Sequence, residues 1–511
     1  MVKSALPLLL LGLLTGCAVN PVTGKNEIAF IGTEQQIEIG RKNYVPAQQM
    51  QGGQYKVDPD LTTYVAGVGK RVVAHSGVDL PYEFVVLNNS IPNAWAMPGG
   101  KLAINRGLLT ELENEAELAA VLGHEVTHAA ARHGAKSMER GTILQGVLLG
   151  AAIGTRNSEY AGALLAGGQL AAGLVTQKYG RDAERESDYY GTKFMAQAGY
   201  DPNAAVTLQE KFVKMSQGRK SGWIDGLFAS HPPSAERVEN NRARVQELKA
   251  QGITGSDLGV ERYQRATKRI RDDKPAYAAF DAARSAIESK QYDVALGEID
   301  KALRLQPAEA QFHGLRGDIR RLQGKHADAV SNYDRAIGRD DGFFAYYLGR
   351  GVSHAALKQR ADAKNDFSSS LKLLPTAVAY NEMGKLAEAE GNQDEAVRYY
   401  AAASQAQDAT GQAALTSLVR LDLPRQPERY TKAELFNDNA GRLFVRVTNG
   451  TPVAMRDVRV RVMLRWAASG EQSLALDVGN VAGGQYVVRE VPLRQESLLA
   501  GQAQVVSART N

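Results

Sequence analysis

The chain has 511 residues, 44% of them hydrophobic and 23% charged, which is the composition of ordinary globular domains and excludes a disordered, collagen-like or polytopic membrane chain. Against 61 Lys and Arg stand 56 Asp and Glu, a balance of +5, and no basic run or aromatic-interleaved stripe predicts a nucleic-acid partner. The single cysteine excludes a disulfide framework. At the start, Lys3 precedes an apolar stretch at residues 5–14. It is about half the roughly 20 residues needed to span a bilayer and matches a secretory h-region in length.

The stretch ends Leu14-Thr15-Gly16-Cys17, which resembles a bacterial lipobox. The resemblance implies a signal peptide at residues 1–16, lipidation of Cys17 and a lipid-anchored tether over residues 17–42, of which 20–42 read as a tether and a first helix. With Ala18 and Val19 after the cysteine and no aspartate, the sorting pattern implies an outer-membrane destination facing the periplasm. Over residues 64–107 short segments are expected to alternate. Residues 82–87 read as a strand, and 94–97 and 101–104 read as a hairpin turning at Pro98-Gly99-Gly100. Residues 108–245 are mostly helical in pattern. The Gly- and Ala-rich stretch 146–173 is interrupted by Arg156, Asn157, Ser158 and Glu159, so a buried or lid-like helical hairpin is expected rather than a membrane span.

Further on, Ala295, Ala329 and Ala363 recur every 34 residues, as do Pro307, Asp341 and Pro375, and Ala302 and Ala336. Tyr333 and Phe367 share one phase, Tyr400 follows 33 later, and Gly324 and Gly391 mark turns. This resembles the tetratricopeptide repeat, a stacking helix–turn–helix unit, over residues 276–410. From residue 430 the period falls to two: Val458, Val460, Val462, Leu464 and Trp466 face one way, and Arg459, Arg461, Met463 and Arg465 the other. An antiparallel, sandwich-like β domain is expected over 430–511.

Chemistry concentrates at His124-Glu125-Val126-Thr127-His128. Residues four apart share a helix face, so both imidazoles can reach one Zn²⁺ with Glu125 beside the open coordination position. Asn114 with Glu117 predicts the helix start, and Gly134 its stop. Glu184 and Asp188 are also four apart; Glu186 is a rival third ligand on another face. His133 falls off the ligand face and reads as a cation at the helix end. His75, His313, His326 and His354 lack ligand spacing.

These motifs resemble metallopeptidase family 48, the HtpX/BepA-like gluzincins, over residues 17–245. The resemblance implies a mainly α peptidase domain (residues 43–255) with a small edge sheet, one zinc ion, and Glu184 as its third ligand. It also implies that Asp188 orients a ligand histidine. Residues 93–100 resemble the family's strand beside the cleft, which can hold an extended peptide by β-augmentation. Ser230-His231-Pro232-Pro233 and Arg237 resemble its His-Pro segment. His231 is either a latency switch over the metal or a loop histidine, and Arg237 either stabilises an oxyanion or forms a structural ion pair. The start from Cys17 to Gly24 resembles that of the family's lipoproteins. The expected activity is zinc-dependent endopeptidase action on misfolded outer-membrane proteins, with the repeats recruiting substrate or assembly machinery. The competing reading is a non-proteolytic periplasmic chaperone or assembly scaffold that binds outer-membrane proteins through the repeats. An integral-membrane protease is excluded for want of spanning helices.

Overall fold

The computed structural model describes residues 17–140, 173–174, 178–218, 231–466, 470–492 and 498–510. The signal peptide expected at 1–16 and nearly all of the hairpin expected at 146–173 lie outside them. Among the described residues, no helix is long and apolar enough to cross a membrane. The chain divides into two compact units, one holding the described residues up to Leu374 and the other those from Pro375 on.

In the first unit, β1 (Cys17–Val19) pairs antiparallel with β2 (Asn26–Ile28). The tether expectation needs correction here: buried Asn20 donates to the Ala131 carbonyl at 3.0 Å, so the chain is docked from that residue on. Helix α1 (Thr33–Met50) is the first helix expected in this stretch and runs on past residue 42. A second correction concerns the alternating segments, because α2 (Pro59–Val73) extends into that stretch. Its stripe of Leu61, Val65, Val68 and Val72 is buried, a helical period that starts from Pro59 in the first turn, where its missing N–H costs nothing.

The hairpin forms as expected. β3 (Glu83–Leu87) runs parallel to β5 (Lys101–Asn105), and β4 (Ala94–Met97) lies antiparallel to β5 as an edge strand. Asn105 N–H donates to the Asn93 carbonyl, so in this register Trp95 and Met97 bond inward while Ala94 and Ala96 present their backbone groups to the free edge.

Helix α3 (Glu115–Ala130) is capped by Asn114, whose side chain accepts from Glu117 N–H at 2.9 Å. It does not continue to Gly134. The break comes at Arg132 with φ of 62°, and residues 133–140 resume a helix. Glu115 anchors its start: the buried carboxylate accepts from Tyr64 (2.6 Å), Tyr200 (2.8 Å), Arg262 (3.1 Å) and Arg71 (3.2 Å). Burial would raise its pKa, but Arg262 and the two tyrosine hydroxyls outweigh that and hold it below the ordinary value. Glu115→Ala should therefore cost about 3 kcal/mol, the lower end for breaking a buried charge network, read as a lowered unfolding midpoint. The contribution is complete above about pH 4.3 and is lost as pH falls through the lowered folded value. The gap between parent and variant should close in acid.

Helix α4 (Arg181–Gln197) crosses α3 at two glycines. A Cβ on Gly123 would lie 2.7 Å from the Gly191 carbonyl oxygen, and one on Gly191 would lie 2.7 Å from the Gly123 carbonyl carbon. This close approach brings the two i, i+4 pairs face to face. Helices α5 (Asn203–Gly218), α6 (Ala235–Ala250) and α7 (Val260–Asp272) complete the peptidase part.

The repeats follow as α8 (Lys274–Glu288), α9 (Tyr292–Leu305), α10 (Ala310–Leu322), α11 (His326–Ile337), α12 (Phe344–Ala356) and α13 (Arg360–Leu373). Ala295, Ala329 and Ala363 are fully buried at the helix crossings. The positive-φ turn position is Gly324, but the equivalent positions 34 residues either side are Lys290 and Lys358, at φ of 57° and 62°. Here helix stacking holds a left-handed residue that sequence alone assigns to glycine.

The second unit continues the repeat with α14 (Ala377–Ala389), α15 (Gln393–Ala403) and α16 (Ala409–Asp422). Two antiparallel three-stranded sheets follow. One has the order β10 (Tyr486–Glu490), β7 (Leu443–Asn449), β6 (Thr431–Asn437); the other has β11 (Leu498–Arg509), β8 (Met455–Trp466), β9 (Gly470–Val481). Val458, Val460, Val462 and Leu464 are buried in the core, while Arg459, Arg461 and Arg465 are exposed, as the period of two requires.

Candidate metal centre

The crossing of α3 and α4 assembles His124, His128, Glu184 and, from the segment before α6, His231. One donor atom from each lies within 4.8 Å of all the others. His124 and His128 Nε2 are 3.0 Å apart. Glu184 reaches them at 3.5 and 3.3 Å. His128, Glu184 and His231 are buried, and His124 is nearly so. Glu125 is not among the four but sits beside them, its Oε1 3.5 Å from His231 Nε2, with its Oε2 unpartnered among the described residues.

Around this group lies a shell of fixed contacts. Asp188 Oδ1 is 3.0 Å from His124 Nδ1, which leaves Nε2 as the ring nitrogen that faces the centre. Arg237, near the start of α6, donates Nε and Nη2 to Asp188, both at 2.7 Å. Its Nη1 lies 3.1 Å from Glu184 and donates to the Pro232 carbonyl. The geometry thus favours the ion-pair alternative for Arg237: its guanidinium is engaged by the two carboxylates and a carbonyl. His231 Nδ1 lies 2.9 Å from Glu184 Oε1 and 3.2 Å from His124 Nε2, inside the cluster rather than in a surface loop.

His133 takes a place that helical spacing does not give it. Its Nδ1 is 2.9 Å from His128 Nδ1, and its Nε2 is 3.1 Å from Glu186. The rival glutamate therefore reaches His128 only through His133. The helix break at Arg132 swings His133 back toward His128, which a continuous helix could not do. Tyr179 stacks on His128 at 4.0 Å, and its hydroxyl donates to the Ala96 carbonyl of the edge strand at 3.4 Å.

The electrostatics fit a bound cation. Burial would lower the pKa of His124, but Glu184 and Asp188 outweigh it and push it up to about 10; the carboxylates demand a positive charge at this point. Burial is also opposed at Glu184, whose carboxyl is held far below its ordinary range by His231 and His124. At His128 burial prevails, and the imidazole is strongly biased to its neutral, ligating form. Two imidazoles and a carboxylate converging on one point are a donor set for zinc. Burial raises the pKa of Glu125, the direction that general acid–base chemistry near neutrality requires of a carboxyl.

Residues 59–245, which carry this centre, match peptidase family M48. This segment belongs to that family. The M48 segment and its flanks are similar to the β-barrel assembly-enhancing protease of Escherichia coli K12, 28% identical over 328 residues, covering 57% of this chain and 66% of that one. The alignment thus spans just under two thirds of that relative's length. The mitochondrial metalloendopeptidase OMA1 of Schizosaccharomyces pombe is 36% identical over 178 residues, 35% of this chain and 51% of that one. Among solved structures, the Arabidopsis OM64 TPR domain is 21% identical over 23% of this chain and 98% of its own, with a TM-score of 0.23.

Proposed function

We propose that the chain is a zinc-dependent endopeptidase with one ion per chain, held by His124, His128 and Glu184. The observation that carries this reading is the convergence of those donors at the α3–α4 crossing with Glu125 alongside. Zinc in such a set supplies Lewis acidity, polarising a carbonyl and lowering the pKa of water to about 7. Glu125 Oε takes the proton of the attacking water and then delivers it to the leaving amine. Asp188 and Arg237 fix His124 and Glu184. The scissile segment lies extended along β4, pairing with the outward backbone groups of Ala94 and Ala96, once the Tyr179 hydroxyl has left the Ala96 carbonyl. In the test, casein cleavage by the purified chain stops with a chelator and returns with zinc. Cleavage indifferent to the chelator contradicts the reading.

His231 acts as a latency switch in this account, since it already contacts Glu184 and Glu125 where substrate must bind. His231→Ala should raise casein turnover severalfold, measured as initial rate with zinc saturating. A fall in rate would instead make His231 a working part of the site.

The lipobox-like Cys17 supports a place at the periplasmic face of the outer membrane, anchored by lipid. There the substrates are misfolded or misassembled outer-membrane proteins, and the repeats recruit them or the assembly machinery. The similarity to a β-barrel assembly-enhancing protease supports the same setting. Incorporation of labelled palmitate that disappears in Cys17→Ala tests the anchor.

A further inference from the structure

The repeat helices and the peptidase part enclose a cavity of about 320 Å³ that includes no residue of the metal centre. Its repeat-side lining is aromatic and acidic: Phe280, Asp281, Asp318, Tyr333, Phe343 and Tyr346. Phe343 and Tyr346 meet edge to face at 5.0 Å. Tyr333 donates its hydroxyl to Asp318 at 2.7 Å. Tyr346 is only 3% exposed, yet its hydroxyl has no partner among the described residues. The peptidase side contributes Gln51, Asn89 and Ser90, and Ser90 Oγ accepts from buried Arg106 at 2.8 Å. The lining has one cation, the exposed Arg284, which lies 6.0 Å from its neighbour Phe280.

This combination selects its ligand by charge. Aromatic faces and half-buried carboxylates attract a cation, and more strongly when water is excluded. An unpartnered buried hydroxyl oxygen accepts an N–H. A carboxylate ligand would meet Asp281 and Asp318, whose neighbouring cations are already engaged, Arg321 with Asp318 at 3.6 Å and Arg106 with Asn88 and Ser90, or solvated, Arg284, and an apolar one would leave the hydroxyl without a partner. A planar guanidinium satisfies all three features, with ring stacking, paired donors to carboxylate and a donor to the hydroxyl. The opening also points to a polypeptide carrier. Ser90 precedes Ala94, the first residue of the free edge strand, by four residues, so a chain lying along that edge reaches the cavity within ~14 Å.

We propose that this cavity is a pocket for an arginine side chain of a bound polypeptide. The test measures binding, so it does not depend on turnover. The full chain, zinc-loaded and carrying Glu125→Gln, is titrated into a fluorescein-labelled, acetylated and amidated alanine-rich nonapeptide with one central arginine. A second peptide carries citrulline, the neutral isostere. The arginine peptide should bind at least ~10-fold tighter by anisotropy, as expected for charge-assisted hydrogen bonds. Asp281→Asn with Asp318→Asn should abolish the difference, and Tyr346→Phe, which keeps the ring, should lower arginine affinity about threefold. Equal binding of the two peptides overturns the proposal, as does a difference that survives the double substitution at an unchanged melting temperature. Should the double variant fail to fold, Asp281→Asn and Tyr346→Phe decide alone, and unchanged arginine affinity in both overturns it.

Discussion

A Glu125→Gln chain should retain one zinc ion yet cleave casein at no more than about one thousandth of the parent rate. Glu125 is outside the donor group formed by His124, His128, Glu184 and His231, so removing its charge leaves the ligands in place. The amide fills the same volume and can hydrogen-bond, but it can neither take a proton from water nor return one to the leaving amine. General acid–base assistance is worth ~10²–10⁴-fold, and here one carboxylate is asked to serve in both directions. Zinc content and initial rate, measured on the same preparation, check both halves of the expectation. A variant within tenfold of the parent would place the proton transfer elsewhere.

Glu184→Ala should have a different signature, in which zinc affinity falls first and activity follows. Glu184 touches His124, His128, His231 and Arg237, so its removal takes away a ligand and also deprives buried Arg237 of one of its carboxylate partners. Losing a group that only orients a ligand already costs 10–100-fold in metal affinity, so losing the ligand itself should cost more than ~100-fold, read by competition with a chromogenic chelator. Glu186→Ala provides the contrast. It acts on His128 through His133, so it should weaken zinc only about tenfold. Equal losses in the two variants would contradict the assignment of Glu184 as the ligand.

Much of this centre is legible in the sequence because helical spacing is a local rule. Two residues four apart on α3 and two on α4 announce a shared face by their spacing alone. What brings the faces together is less visible: Gly123 and Gly191 permit the close crossing, and glycine in a helix gives no hint of its opposite number. His133 falls off the ligand face only in a continuous helix, whereas the chain turns at Arg132, a residue type that does not announce a left-handed conformation. Arg237 reads in sequence as either catalytic or structural, and its paired 2.7 Å bonds to Asp188 are visible only in the structure. The repeats are legible from their period, but two of their turns use Lys290 and Lys358 where glycine is the expected signal. Helix α2 is hidden because its stripe begins among polar residues and runs into a region whose pattern reads as strands.

The most direct test is anomalous diffraction from crystals of the full chain grown with zinc, recorded on both sides of the zinc absorption edge. A single strong peak is expected within bonding distance of His124 Nε2, His128 Nε2 and the Glu184 carboxylate, with Glu125 beside it. A peak held by Glu186 in place of Glu184, or no peak at the α3–α4 crossing, would contradict that expectation.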